Sequence, residues 1–208
     1  MKLQVSFDLT NLDKAIEIAT KISNFADVFE IGTILIYKHG INALEKFRET
    51  FPQKTLLADT KIVDRGKEIV PELAKTGIDW ITVMAGTTPN VIHATCTEAK
   101  NNNLKVMLDL LDSSSPGQSA MEAKNLGADA LLFHEPYDEQ ESTIFLDKWD
   151  MIKGNTSLPI FVSAKIKRET IEEIIKLHPH GLVIGKSITE AANPAAEAQF
   201  FYELCSKN

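Results

Sequence analysis

Short apolar runs alternate with amphipathic segments along the whole chain. The apolar runs have the length and side-chain types of buried strands, and the segments between them repeat apolar residues at helical spacing. The pattern predicts strands at residues 3–8, 26–32, 54–61, 80–85, 105–111, 130–135, 159–165 and 181–188. It predicts helices at residues 12–22, 40–51, 67–75, 89–100, 119–126, 142–153, 168–177 and 195–205.

Repeated strand–helix units of this kind indicate a parallel α/β fold. Eight units in 208 residues leave about 26 residues for each, which suffices for a closed (β/α)8 TIM barrel. We therefore expect one barrel domain over residues 1–208. A doubly wound open sheet is the alternative. The sequence lacks a Gly-x-Gly-x-x-Gly motif after the first predicted strand, which disfavours the dinucleotide-binding form of that fold.

Polar residues end all but the fourth of the predicted strands. In a parallel barrel the carboxyl ends of all strands meet on one face, so residues far apart in sequence converge there. A single solvated strand end would need no explanation, but a repeated pattern favours a shared pocket. The strand ends contribute Asp8, Glu30, Asp59, Lys61, Asp109, His134, Lys165 and the run Gly185-Lys186-Ser187.

The third strand end carries the densest group of charges. Asp59 and Lys61 are two residues apart, so regular strand alternation would place their side chains on one face. Asp64 follows where the chain must turn. Charges this close to a buried strand are costly to desolvate unless they serve one another, a metal or a charged ligand. A strand that runs into a solvated loop is the alternative.

Composition restricts the class of partner and the compartment. The chain is 44% hydrophobic and 25% charged, with a formal net charge of −7, which argues against nucleic acid as the main partner. Cys96 and Cys205 lie far apart, as expected in a reducing compartment. Asp8 falls where a signal peptide needs its apolar centre, and no apolar run approaches the roughly 20 residues of a membrane span. We expect a cytoplasmic protein without membrane contact.

Several stretches resemble the orotidine-5′-phosphate decarboxylase suprafamily of small barrels. The most specific part of this resemblance is the Asp-x-Lys-x-x-Asp sequence within LADTKIVDRG at residues 57–66. The order and spacing of the other segments support it. These are LQVSFDL at 3–9, VFEIGT at 28–33, VIGKSIT at 183–189 and AANPAAEA at 191–198.

The resemblance implies a metal site and a catalytic lysine. Glu30 and Asp59 match the ligands of a Mg²⁺ ion, and Lys61 matches a lysine that stabilises an anionic intermediate. Asp64 matches an acid that reaches the neighbouring subunit's site in the family's homodimer. Two alternatives stay open: Glu30 is an acid at the barrel mouth paired with Lys61, or Asp64 caps the following helix.

The resemblance also implies a substrate site for a sugar phosphate. Asp8 and Asp109 match acids that contact substrate hydroxyls or orient the lysine, and His134 matches a histidine used for proton transfer. A purely structural role for His134 is the alternative. The remaining matches, Lys165, Gly185 and Lys186, lie where the family binds phosphate.

The resemblance implies a carbon–carbon lyase that works through a 1,2-enediolate. Two branches of the family fit, the 3-hexulose-6-phosphate synthases, which join ribulose 5-phosphate to formaldehyde, and the 3-keto-L-gulonate-6-phosphate decarboxylases. The segment Tyr137-Asp138-Glu139-Gln140 favours the synthase type. Ala164 and Lys165 replace paired glycines, so either the Lys165 ammonium substitutes for backbone phosphate donors or the phosphate site is damaged. The second case would leave a non-catalytic sugar-phosphate-binding barrel.

Overall fold

The protein folds into a closed barrel of eight parallel strands, adjacent in chain order, with β8 paired to β1. A computed structural model describes residues 1–136 and 145–207, with only the backbone for 145–147. The strands are β1 (Lys2–Phe7), β2 (Val28–Ile31), β3 (Thr55–Ile62), β4 (Trp80–Met84), β5 (Lys105–Asp109), β6 (Ala130–His134), β7 (Ile160–Ser163) and β8 (Gly181–Ile184). The predicted (β/α)8 barrel is confirmed, and the open-sheet alternative is excluded.

Helices follow the strands and cover the outside of the barrel. They are α1 (Leu12–Ile22), α2 (Thr33–His39), α3 (Ile41–Thr50), α4 (Gly66–Ala74), α5 (Pro89–Asn101), α6 (Pro116–Leu126), α7 (Phe145–Lys153), α8 (Ile171–Ile175), α9 (Lys186–Thr189) and α10 (Pro194–Lys207). No helix in the described ranges is both long and apolar enough to cross a membrane.

The strands divide their side chains between two apolar clusters. Outward residues such as Leu3, Val5 and Phe7 of β1 are fully buried in the layer between barrel and helices. Inward residues form a separate cluster that fills the barrel interior below its carboxyl face. Its members are Val28, Leu57, Met107, Ala130, Leu132, Phe161 and Val183.

A repeated contact closes the amino-terminal rim. The residue just before β2, β4, β6 or β8 accepts a hydrogen bond through its side chain. The donor is a backbone N–H at or near the start of the strand before it, which is β1, β3, β5 or β7. Asp27, Asp79 and Asp129 accept this bond through a carboxylate oxygen at 2.8 Å. His180 does so through Nδ1, which lies 3.0 Å from the amide nitrogen of Ile160. The strand starts are thus held in the same way four times around the barrel.

Two segments differ from the sequence prediction in their type of structure. The strand predicted at 181–188 ends at Ile184, because Gly185 leaves the extended conformation (φ −103°, ψ −101°) and the short helix α9 follows. Helix α2 was not predicted, since its apolar and β-branched residues include the exposed Ile34 and Tyr37 and show no clear buried face.

Other helix bounds shift modestly. Helix α6 begins at Pro116 rather than at residue 119, and α8 is shorter than the predicted 168–177. Residues 142–144 of the predicted seventh helix lie outside the described residues.

Candidate active site

Strand β3 departs from regular pairing where it reaches the carboxyl face. Its register against β4 shifts between Ala58 and Ile62, and Lys61 adopts a left-handed φ of 47°. Thr82 of β4 fixes this bulge, because its Oγ1 accepts the Lys61 N–H at 2.9 Å and donates to Asp59 Oδ1 at 2.8 Å. Lys61 Nζ lies 2.8 Å from Asp59 Oδ2. The two charges therefore meet as expected, but across a bulge rather than along a regular strand.

Lys61 connects Asp59 to a second acid. Its Nζ lies 3.3 Å from Oδ2 of Asp109, which is fully buried at the end of β5. Burial alone would lower the pKa of Lys61, but the Asp59 and Asp109 carboxylates outweigh it and hold that pKa above its usual value. The ammonium is therefore charged across the neutral pH range.

The network continues from Asp109 to His134. The Nδ1 atom of His134 lies 2.9 Å from Asp109 Oδ2, while Asp109 Oδ1 accepts the N–H of Leu111 at 3.0 Å. Burial opposes both charges, yet the His134 contact lowers the pKa of Asp109, and the Asp109 contact raises the pKa of His134. With Nδ1 engaged, Nε2 is the ring nitrogen left for a substrate.

Glu30 is buried beside this network and is held from β1. Gln4 Nε2 donates to Glu30 Oε2 at 2.5 Å, and Ser6 Oγ donates to Oε1 at 2.8 Å. Among the described residues Glu30 forms no ion pair with Lys61, so that alternative pairing is not what the structure shows. Burial, together with the charges of Asp59 and Asp8, raises the pKa of Glu30 to about 8. Without a cation, Glu30 is therefore mainly protonated at neutral pH, and a bound divalent cation would favour its charged form.

Asp8 lies at the same rim and contacts the start of α2. Its Oδ1 accepts the Ile34 N–H at 3.2 Å, and its Oδ2 lies 3.2 Å from Ser6 Oγ. A Cβ atom on Gly32 would lie 2.2 Å from Asp8 Oδ1, so a larger residue there would displace the Asp8 carboxylate. Asp8 is thereby placed beside Glu30.

Asp64 stands apart from the other acids. It is exposed in the loop between β3 and α4, and it makes no hydrogen bond or ion pair with the described part of the chain. The capping residue of α4 is Arg65, at a left-handed φ of 58°, so Asp64 is not the helix cap. Within one chain, Asp64 does not join the network.

The two predicted phosphate segments follow β7 and β8 and are joined to each other. Ser187 Oγ donates to the Ile166 carbonyl oxygen at 2.6 Å, linking the loops. Lys165 adopts a left-handed φ of 48°, a conformation that usually requires glycine. Lys186 opens α9 directly after Gly185, with its Nζ 4.0 Å from Glu190 Oε1. The Gly-Lys-Ser run therefore follows β8 rather than interrupting it.

Uncharged residues were missed by the sequence analysis. Thr33 Oγ1 donates to Asp59 Oδ2 at 2.6 Å, and Thr82, Gln4 and Ser6 hold the charged groups as described. They lie within or beside apolar strands, where charge alone gives no signal. Strand alternation could have found two of them, since Gln4 and Ser6 share a face with Asp8.

The acids do not form a complete metal cage. Among the described residues, no three His, Cys, Asp or Glu side chains are grouped so as to hold a metal ion by themselves. One or two carboxylates with open positions is, however, the usual protein contribution to a Mg²⁺ site. Glu30 and Asp59 fit such a site, because a divalent cation would stabilise both groups in their charged form.

Comparisons with known proteins agree with this geometry. A sequence profile of the orotidine 5′-phosphate decarboxylase / HUMPS family matches residues 1–201. The chain is 32% identical over 206 residues to the 3-hexulose-6-phosphate synthase of Bacillus subtilis (strain 168), covering 98% of each protein.

Solved structures of similar proteins share the whole fold. The 3-hexulose-6-phosphate synthase from Salmonella typhimurium matches with a TM-score of 0.93 at 30% identity, over 100% of this chain and 99% of that one. The KGPDC from Streptococcus mutans, in complex with a sugar phosphate, matches with a TM-score of 0.90 at 26% identity, over 99% of this chain and 97% of that one. The resemblance found in the sequence is confirmed, and the chain belongs to the orotidine 5′-phosphate decarboxylase / HUMPS family.

Proposed function

We propose that this protein is a Mg²⁺-dependent lyase of the 3-hexulose-6-phosphate synthase type, joining ribulose 5-phosphate to formaldehyde through a 1,2-enediolate. The observation that carries the proposal is the continuous network Asp59, Lys61, Asp109 and His134, with Glu30 beside it. The network brings an ammonium, an imidazole and two carboxyl groups to one rim, and these would stabilise the intermediate, transfer the proton and hold the metal. The full-length similarity to proteins named 3-hexulose-6-phosphate synthase supports the substrate class.

The charged groups serve the anionic intermediate. Lys61, held by two carboxylates, presents a positive charge to the enediolate oxygens without needing to reorganise. Glu30 and Asp59 would hold Mg²⁺, which neutralises negative charge developing on two adjacent oxygens when it is bound. Asp8 would accept hydrogen bonds from substrate hydroxyls, whereas the buried Asp109 would orient Lys61 and His134.

His134 moves the proton. Its Nε2 takes the proton from C1 of ribulose 5-phosphate, and the electron pair of that C–H bond forms the enediolate. C1 of the enediolate then bonds to the carbon of formaldehyde as the C2 carbonyl re-forms, and the proton passes from His134 to the oxygen that came from formaldehyde. Asp109 holds the ring and stabilises its protonated form through the 2.9 Å contact at Nδ1.

The phosphate would bind between the β7 and β8 loops. The glycine-like backbone of Lys165 preserves the turn despite its side chain, and this favours a working site over a damaged one. Gly185 and Lys186 would complete it from the β8 side. The Lys165 ammonium would add a charge contact to the phosphate.

We also propose a cytoplasmic homodimer in which Asp64 serves the partner's site. Asp64 makes no hydrogen bond or ion pair with the described part of its own chain, and large apolar side chains are exposed on its loop and on α2. Val63 is 56% exposed, and Tyr37 on the neighbouring α2 is 88% exposed. Such side chains favour burial against a second copy.

A 3-keto-L-gulonate-6-phosphate decarboxylase is the second candidate. The match to the structure of KGPDC, the abbreviation of this enzyme name, favours it. The same groups would stabilise the enediolate that forms on loss of CO₂. The discriminating residues, Tyr137-Asp138-Glu139-Gln140, lie outside the described residues. A barrel that binds sugar phosphates without turnover is the alternative of another class.

One set of assays separates the synthase, the decarboxylase and the non-catalytic barrel. Ribulose 5-phosphate with formaldehyde, and then 3-keto-L-gulonate 6-phosphate, are each supplied with Mg²⁺ or with EDTA. We expect condensation of the first pair, dependent on Mg²⁺. Faster consumption of the gulonate substrate would favour the decarboxylase, and binding without consumption of either would overturn the enzymatic proposal.

A further inference from the structure

The inward face of β1 is polar from its base to its rim. Gln4, Ser6 and Asp8 occupy alternate positions, so they share one face of the strand. Asp8 reaches the rim, but Gln4 is only 1% exposed and lies deep in the barrel. An amide at this depth is costly unless its hydrogen bonds serve a purpose.

The hydrogen bonds of Gln4 indicate that it serves Glu30. Gln4 Nε2 lies 2.5 Å from Glu30 Oε2, and Ser6 Oγ lies 2.8 Å from Oε1. Ser6 is opposite Glu30 in the β1–β2 register, and Gln4 is one inward position below it. Each carboxylate oxygen therefore receives one donor from β1, which leaves its remaining lone pairs for the rim.

The other end of the Gln4 amide faces no protein donor. Gln4 Oε1 has no hydrogen-bond partner among the described residues, although it is buried. Gln4 lines a cavity of about 30 Å³ at the base of the barrel, with Thr55 and Val28 among its neighbours. A space of this size accommodates a water molecule that could donate to Oε1. Turning the amide over would instead set its oxygen against the charged form of Glu30, which is the form that binds a metal.

We propose that Gln4 is a positioning residue that fixes the Glu30 carboxylate for metal binding, with Ser6 as its second support. The inference rests on the proposed function, in which Glu30 holds Mg²⁺. Side chains that orient metal ligands in this way typically change metal affinity 10- to 100-fold when they are removed. Gln4 itself contacts neither metal nor substrate.

The test measures binding of Mn²⁺, as a spectroscopic probe for Mg²⁺, by electron paramagnetic resonance without substrate. Gln4→Leu removes the donor and introduces an apolar side chain of similar size, which suits the apolar interior around it. We expect its Kd for Mn²⁺ to rise about 10- to 100-fold, with an unchanged melting temperature. Gln4→Asn, which withdraws the NH₂ group, should raise the Kd as well and provides a second variant if Gln4→Leu folds poorly.

Matched variants separate positioning from general damage. Thr55→Val alters the same cavity without touching Glu30 and should bind Mn²⁺ as the wild type does. Ser6→Ala should weaken binding, and Ser6→Thr, which keeps the hydroxyl, should restore it. In a Glu30→Gln background, Gln4→Leu should change the Kd less than about twofold, because Gln4 acts through Glu30.

The outcomes distinguish this inference from the proposed function. If Gln4→Leu and Gln4→Asn bind Mn²⁺ as the wild type does while Glu30→Gln binds it more weakly, the role of Gln4 is overturned. The metal site of the proposed function would stand. Equal losses from Thr55→Val and Gln4→Leu would assign the effect to packing and overturn it too. A wild-type chain that binds no Mn²⁺ would overturn the metal site of the proposed function, and this role with it.

Discussion

The imidazole of His134 and the carboxylate of Asp109 face each other from neighbouring strands, with Nδ1 2.9 Å from Oδ2. Burial alone would lower the pKa of His134, but this contact raises it above its ordinary value. The neutral ring that can accept a proton is therefore populated only above the raised pKa.

Asp109→Asn should move the pH profile. The substitution keeps the ring buried but removes the charge that raises its pKa, so the rise of kcat/KM with pH should occur at lower pH than in the wild type. Nitrogen NMR of the imidazole should report the same direction, with the exposed His93 as an internal reference. An inflection that stays in place would show that His134 is not the titrating group.

Thr82→Val should damage both stability and catalysis. The two side chains are nearly isosteric, but valine leaves the Lys61 N–H and the Asp59 carboxylate without the hydroxyl that joins them. We expect a loss of about 1–3 kcal/mol in the free energy of unfolding from urea titration. A fall in kcat/KM on the order of 100-fold should accompany it, because the ammonium is displaced.

Thr76→Val is the control for this effect. Thr76 is equally buried but donates to the Leu73 carbonyl at the end of α4, at the opposite face of the barrel. It should lose stability with little change in kcat/KM. A Thr82→Val protein of wild-type activity would show that the bulge does not need the hydroxyl.

Asp59→Asn should abolish Mg²⁺-dependent turnover while the fold stays near intact. Asparagine keeps the size of the side chain but removes the charge that faces Lys61 and the proposed metal. We expect kcat/KM to fall at least about 100-fold and added Mg²⁺ to restore little. EDTA should inhibit the wild type and leave the residual rate of the variant unchanged.

Asp27→Asn provides the matched control, because Asp27 lies at the amino-terminal rim and asparagine keeps an oxygen for the Leu3 N–H. Its turnover should equal that of the wild type. Unchanged, Mg²⁺-dependent activity in Asp59→Asn would remove Asp59 from the metal site.

Asp64 should act across the proposed dimer. Asp64→Asn and Asp59→Asn should each be inactive alone. If subunits exchange freely, half of the mixed dimers are hybrids, and each hybrid has one intact site. The mixture should then recover about one quarter of wild-type activity per subunit. No recovery after confirmed subunit exchange would place Asp64 in its own chain's site, and an active Asp64→Asn would place it outside catalysis.

The contrast between Glu30 and Gln4 shows what the sequence could predict. Charged groups such as Glu30, Lys61 and His134 ended apolar strands, and strand ends converge in any parallel barrel, so their gathering followed from topology. Gln4 and Thr82 lie within strands, and only the pairing of neighbouring strands shows which charges they hold. Register is a tertiary property that hydrophobic periodicity does not contain.

Local backbone geometry was equally beyond the sequence. An apolar residue, Ile188, returns after the Gly-Lys-Ser run at 185–187, so the sequence prediction extended β8 through a turn and a short helix. The left-handed conformations of Lys61 and Lys165 occur at residues that rarely adopt them. Their surroundings impose these conformations, and no propensity predicts them.

The repeated contact at the amino-terminal rim leads to a prediction about His180. Its Nδ1 does for Ile160 what a carboxylate does at Asp27, Asp79 and Asp129. The position therefore requires an acceptor rather than an imidazole. His180→Asp should keep the free energy of unfolding within about 0.5 kcal/mol of the wild type near neutral pH.

His180→Phe keeps an aromatic ring but leaves the Ile160 N–H without its side-chain acceptor. It should lower the free energy of unfolding by about 1–3 kcal/mol. Urea titrations of the two variants at one pH make the comparison, and kcat/KM should not change in either. Equal losses in both variants would show that ring packing, and not the acceptor, holds the start of β7 in place.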